Sequence, residues 1–205
     1  MPLTTLDPTP ALVVIDLQKG IVSDPVAHVV SNAAALAKAF RQHGLPVVLV
    51  NVTGRAPGRT EAGGHGGTGT GALPPGWADI IDELDRQPGD HLITKRRRSA
   101  FHDTGLDTLL RDLCVTQVVL AGVSTSAGVE STARSAHDHG YHVVLATDAM
   151  ADHDPDSHRH SLERVFPKLG ETATSAEIIE FLGRRPGRPG RPGRPGSPDR
   201  AARRP

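Results

Sequence analysis

Three short stretches of this 205-residue chain hold the groups best suited to chemistry, and each adjoins an apolar run. Asp16 closes Val13-Val14-Ile15 and is followed by Leu17-Gln18. Lys95 opens Lys95-Arg96-Arg97-Arg98-Ser99-Ala100-Phe101, and Gly122-Val123-Ser124-Thr125-Ser126-Ala127-Gly128-Val129 leads into a helical pattern. A carboxyl at the end of a buried parallel strand points into the crevice where such sheets bind ligands, and serves there as an acid or a base. An ammonium at the end of another strand can approach it. The third stretch contributes backbone, because amides that open a helix face anions and developing negative charge.

Each stretch also has a plainer reading: a helix cap or surface carboxylate, a solvated basic face, a tight turn with a glycine for packing. Ser124, Thr125 and Ser126 offer hydroxyls, but the sequence shows no histidine base for them and a hydroxyl is a far poorer nucleophile than a thiolate. The single cysteine, Cys114, precedes the fourth apolar run, at the end opposite the crevice, and reads as a packing residue. His137, His139, His142, His153, His158 and His160 cluster in sequence without a recognised zinc-ligand spacing. They read as solvated, and neither a metal nor a cofactor is expected.

The elements that must hold these groups are legible from apolar patterning. Runs at 11–17, 46–52, 91–94, 116–121 and 142–147 are rich in Val, Ile and Leu without strict alternation, as expected for strands covered on both faces. Helical patterns at about 26–43, 105–113, 126–139 and 156–168 lie between and after them, which argues for βαβ units around a mostly parallel sheet. Gly44, Gly140 and Gly170 stop three of the helices, each read as supplying a left-handed residue. Thr174-Ser175-Ala176-Glu177 reads as a capping box before a last helix through Leu182.

Two stretches break this rhythm. Residues 53–77 are glycine-rich around Gly63-Gly64-His65-Gly66-Gly67 but lack a phosphate-binding signature, and read as a mobile lid or surface loop. Residues 184–205 repeat Arg-Pro-Gly and read as a disordered basic tail behind a domain at 1–183. The tail carries eight arginines against Asp199, a net +7, so the formally neutral chain is an acidic globule with a basic extension. With no aromatic residue for stacking, the tail offers nucleic acid only nonspecific contact. One cysteine excludes an internal disulfide, and the start of the chain lacks the pattern of a signal peptide. No segment has the roughly 20 apolar residues of a membrane span. These features suit a cytoplasmic protein.

In order and spacing, Asp16-x-Gln18, Lys95 to Phe101, Gly122 to Arg134, Gly140-Tyr141 and Thr147-Asp148-Ala149 resemble the isochorismatase-like hydrolases, also called the cysteine hydrolase superfamily. The resemblance spans about residues 11–182. It implies an α/β fold with a doubly wound, mostly parallel six-stranded sheet and helices on both faces. It also implies a triad of Asp, Lys and Cys, to which Asp16, Lys95 and position 128 correspond. A non-proline cis peptide between Val123 and Ser124 would then aim the amides of Ser124 and Gly128 at an oxyanion.

Position 128 is glycine, so the thioester route of the family's amidases is closed. Isochorismatases proper also tend to carry glycine there. By that analogy Asp16 protonates the vinyl-ether carbon of a small substrate and water adds to the oxocarbenium ion, while Lys95 positions the acid and Gly128 makes room. Gln18, Phe101 and Ser124 would contact the substrate, and Arg55 and Arg59 would anchor a carboxylate. Ser124 replaces a tyrosine common in isochorismatases, which leaves the substrate open. The family's zinc-binding relatives use Asp-x-His and a later His, a spacing missing here. The resemblance further implies a homo-oligomer acting on a small molecule. The competing reading is a ligand-binding or regulatory protein on the same scaffold.

Overall fold

Branched apolar side chains favour extended backbone and pack well on a pleated surface. In the computed structural model, which describes residues 2–22, 27–54, 58, 61 and 73–184, such runs form most of a six-stranded sheet. Its strands are β1 (Pro10–Ile15), β2 (Val47–Val52), β3 (His91–Lys95), β4 (Gln117–Val123), β5 (His142–Ala151) and β6 (Glu171–Ala173). They lie in the order β3-β2-β1-β4-β5-β6, with every neighbouring pair parallel. The helices are α1 (Ala27–Gln42), α2 (Leu106–Asp112), α3 (Glu130–Asp138), α4 (Pro155–His160) and α5 (Ser175–Gly183).

Alternation along β1 divides the core in two. Leu12 and Val14 face a layer that includes Leu36 and Phe40 of α1 and Ile178 and Leu182 of α5. Ala11, Val13 and Ile15 face Leu106 and Leu110 of α2 and Ala133 and Ala136 of α3. This is the doubly wound α/β sheet that the resemblance implies. Successive crossovers leave β1 and β4 toward opposite faces, so the strand order reverses between them, and open α/β sheets bind ligands at the carboxyl ends of such a switch point.

The elements differ from the sequence expectation at their ends. β1 stops at Ile15 rather than at 17, because Asp16 takes a left-handed φ of 53°. β4 and β5 continue two and four residues past the expected 121 and 147. The short β6 pairs with β5, with an isolated parallel bridge from Pro2 to Thr172 on its other side, and was not among the apolar runs, since Glu171-Thr172-Ala173 has no such run to read. The helix expected at 126–139 begins as a π-helical turn, Thr125–Val129, before α3. The one expected at 156–168 passes from α4 through a π-helical turn (Ser161–Val165) into a 3-10 turn (Phe166–Lys168). Pro167 lacks an N–H, so a regular helix cannot continue through it.

Gly44 and Gly140 have the expected positive φ of 63° and 83°. Gly170 does not, and its reason is proximity: a Cβ there would lie 2.1 Å from the Val143 carbonyl oxygen. Cys114 is exposed, in a left-handed conformation with φ 55° just past α2, which corrects its reading as a packing residue. The capping box is formed, with Thr174 N–H donating to Glu177 Oε2 at 2.7 Å and Glu177 N–H to Thr174 Oγ1 at 3.3 Å. Arg55, Arg59, most of the glycine-rich loop, and the tail from residue 185 onward lie outside the described residues. Among the described residues, no helix is long and apolar enough to cross a membrane.

Candidate active site

The strand ends converge. Asp16 N–H still bonds the Val50 carbonyl at 2.9 Å, but its own carbonyl accepts from Gln18 N–H at 2.9 Å, so the chain turns sharply as soon as β1 ends. An aspartate tolerates the left-handed φ at modest cost, and such strain concentrates at functional sites. On the far side of β2, Val52 is in register with Lys95, the last residue of β3. From there the Lys95 side chain spans β2 and places Nζ 2.7 Å from Asp16 Oδ2. Nζ also donates to the Arg97 carbonyl at 3.2 Å. Only 2% of Lys95 and 6% of Asp16 is exposed, whereas Arg96 and Arg98 are exposed and Arg97 is half-buried. That burial distinguishes Lys95 from the three cations beside it.

The two partners act on Asp16 in opposite directions. Burial disfavours the carboxylate, the ammonium favours it, and burial prevails, raising the pKa from 3.8 to about 6. Oδ1 is buried with no hydrogen-bond partner among the described residues, while Oδ2 faces Lys95. In the neutral acid the proton therefore belongs on Oδ1, because Oδ2 is occupied accepting from the ammonium.

The third stretch closes over this pair. Gly122, in register with Ile15, has φ 114°, and a Cβ there would lie 2.0 Å from the Ile15 carbonyl oxygen, so only glycine lets β4 approach β1 at this level. The Val123–Ser124 peptide is cis, where the resemblance implies it. Gly128 is buried, and a Cβ on it would lie 3.0 Å from Ile15 Cγ2, 3.2 Å from Asp16 Oδ2 and 3.3 Å from the Val123 carbonyl oxygen. Position 128 thus borders the carboxyl directly. Its bare Cα is also closely covered, so a side chain there would require its neighbours to shift by a few tenths of an ångström.

Several amides of this turn are already engaged. Ser126 N–H donates to Asp152 Oδ2 at 2.7 Å, and the Ala127 and Val129 N–H groups both donate to the Ser124 carbonyl at 3.1 Å. The Gly128 carbonyl accepts from Thr132 Oγ1 at 2.7 Å, and that hydroxyl accepts from Ala100 N–H at 3.1 Å. The chain bearing Lys95 and the helix following Gly128 are thereby latched together.

Not every residue singled out from sequence joins the site. Gln18 is fully buried beside it, with Oε1 accepting from Val52 N–H at 2.7 Å and Nε2 donating to the Val52 and Trp77 carbonyls at 3.1 and 3.2 Å. Its amide ties chain segments together. Phe101 is buried, its ring stacked on His139 with centroids 4.9 Å apart and tilted against Tyr141 at 5.8 Å, beside the amino end of β5. Ser124 is half-buried at the start of the turn.

Two contacts were missed in the sequence. Asp152 holds the Ser126 hydroxyl as well as its amide, and Thr125 Oγ1 lies 2.8 Å from His158 Nδ1. The second is a hydroxyl paired with an imidazole, contrary to the expectation that no histidine serves these hydroxyls. Thr125 is fully buried, so its oxygen is a structural partner rather than an accessible nucleophile. Separations of 26 and 33 residues gave no local signal of either contact.

The sheet order agrees with comparison to known proteins. Residues 10–177 match the isochorismatase domain. The chain belongs to the isochorismatase family. It is 40% identical over 174 residues to the isochorismatase family protein YwoC of Bacillus subtilis (strain 168), covering 83% of this chain and 92% of that one. It is 30% identical over 211 residues to the ureidoacrylate amidohydrolase RutB of Methylobacterium radiotolerans, covering 87% and 81%. Among solved structures, an isochorismatase family protein from Burkholderia thailandensis superimposes with a TM-score of 0.80 at 38% identity, covering 87% of this chain and 98% of that one. The fold and the hydrolase family are thus those of an isochorismatase-like protein.

Proposed function

We propose that this isochorismatase-family hydrolase cleaves a small vinyl ether or related substrate by general-acid catalysis from Asp16, without a covalent enzyme intermediate. The observation that carries this reading is a buried Asp16 carboxyl, raised to about 6, standing beside a position with no side chain to attack. A general acid works best when its pKa lies near the operating pH, and burial against the Lys95 ammonium sets that balance here. The Asp16 carboxyl proton passes to the terminal carbon of the enol ether, and the adjacent carbon becomes an oxocarbenium centre. Water adds there, its surplus proton returns to the carboxylate, and the resulting hemiketal expels the alcohol. Lys95 holds Oδ2 and so orients the carboxyl. The amide hydrolysis named for RutB is a less suitable reaction for this chain, since Gly128 offers no thiolate for a thioester route.

The test is turnover of a panel of small enol ethers and amides by the protein and by Asp16→Asn. An enol ether should be hydrolysed, and the substitution should lower its rate by about 10²–10⁴-fold with the fold retained. Equal rates in the two proteins would remove Asp16 from the mechanism. The absence of a side chain at position 128 favours one second reading, a ligand-binding protein without turnover. Saturable binding of a panel member with no product formed would establish it.

A further inference from the structure

The turn bearing Gly128 is fixed at its downstream end by α3, through Thr132 and the Gly128 carbonyl. Its upstream end is held from elsewhere. Asp152, one residue past β5, directs a single oxygen at Ser126, accepting from N–H at 2.7 Å and from Oγ–H at 2.8 Å. Asp152 Oδ1 accepts from Asp154 N–H at 3.3 Å, which orients the carboxylate on its own loop. Four residues further on, His158 of α4 grips the preceding residue, Thr125. Two consecutive residues of the turn are therefore clamped by the segment that follows β5, and a carboxylate at the start of a helical turn is favoured by its exposed amides.

The clearances make this clamp matter. Gly128 lies two residues beyond Ser126, and the space at its Cα is closed by Ile15 and by Asp16 Oδ2, with no slack for a methyl group. A turn that moved outward by a fraction of an ångström would loosen that contact, and a displacement comparable to the size of a water molecule would admit solvent to the carboxyl. We infer that Asp152 is a positioning residue of the site, holding Ser126 so that the Gly128 turn stays seated over Asp16. This inference rests on the reading of Asp16 as the acid, but its test is independent of any substrate.

Asp16 is titrated by carbon-13 NMR of its carboxyl in the unmodified protein, Asp152→Asn and Asp152→Ala, alongside thermal melting and amide exchange at Gly128. Asp152→Ala should lower the Asp16 midpoint by about half a unit or more, because water entering the site relieves the desolvation. It should also speed exchange of the Gly128 amide. Asp152→Asn keeps an acceptor oxygen and should fall between the two. A lower melting temperature with the Asp16 midpoint and Gly128 exchange unchanged would mean a merely structural aspartate and overturn the inference. Should Asp152→Ala fail to fold, Ser126→Ala, which removes only the hydroxyl leg, is held to the same two readouts. An Asp16 midpoint near 4 in the unmodified protein would instead count against the acid reading. Gly128 exchange alone would then decide on Asp152, faster exchange supporting its role and unchanged exchange refuting it.

Discussion

At the scale of single residues, Asp16 is set by two neighbours that disagree. Desolvation raises its pKa and Lys95 lowers it, leaving the acid at about 6. Only the protonated form donates, so the rate should be level below that pH and fall about tenfold per unit above it. Lys95→Met removes both the Coulombic attraction and the hydrogen bond that favour the carboxylate. It should therefore move the falling limb to higher pH, by about one unit or more, while lowering the rate through lost positioning. A pH–rate profile of the variant checks this, and a limb displaced to lower pH would contradict the balance described here. Asp16 and Lys95 were legible in the sequence because each ends an apolar run, which fixes both the end of the sheet and the direction of the side chain. Gln18 and Phe101, given as substrate contacts only by the resemblance, turn elsewhere, one onto the Val52 backbone and the other onto His139. Which neighbour captures a side chain near a strand end depends on contacts across the fold, and spacing does not encode them.

At the scale of elements, β1, β2 and β4 are apolar and buried along nearly their whole length, whereas β6 is not. The three residues of β6 include a glutamate and a threonine, so pairing to β5 rather than composition makes them a strand. The helix that follows is the opposite case, since Thr174 and Glu177 state its beginning locally and the bonds form as read. Thr174→Ala should lower stability by about 1 kcal/mol, measured by denaturant unfolding, and leave the Asp16 titration unchanged. The π-helical turn that seats Gly128 gave no such local statement. Its shape comes from partners at its two ends, Asp152 outside and Thr132 within α3, and the sequence showed only a smooth helical pattern.

At the scale of the whole molecule, the two halves of the acid–ammonium pair come from unequal places. Asp16 follows β1, which is paired on both sides, whereas Lys95 belongs to β3, which is paired on one side only among the described residues. Elements with fewer partners open at lower free energy than the interior of a sheet. In mild denaturant β3 should fray first, carrying the cation away from a carboxyl that stays embedded. Hydrolysis should then fade before the far-ultraviolet circular dichroism does, and coincident loss of the two signals would show that the rim of the sheet is as firmly held as its centre. The protein would pass through a state folded enough to be counted as native and yet chemically silent.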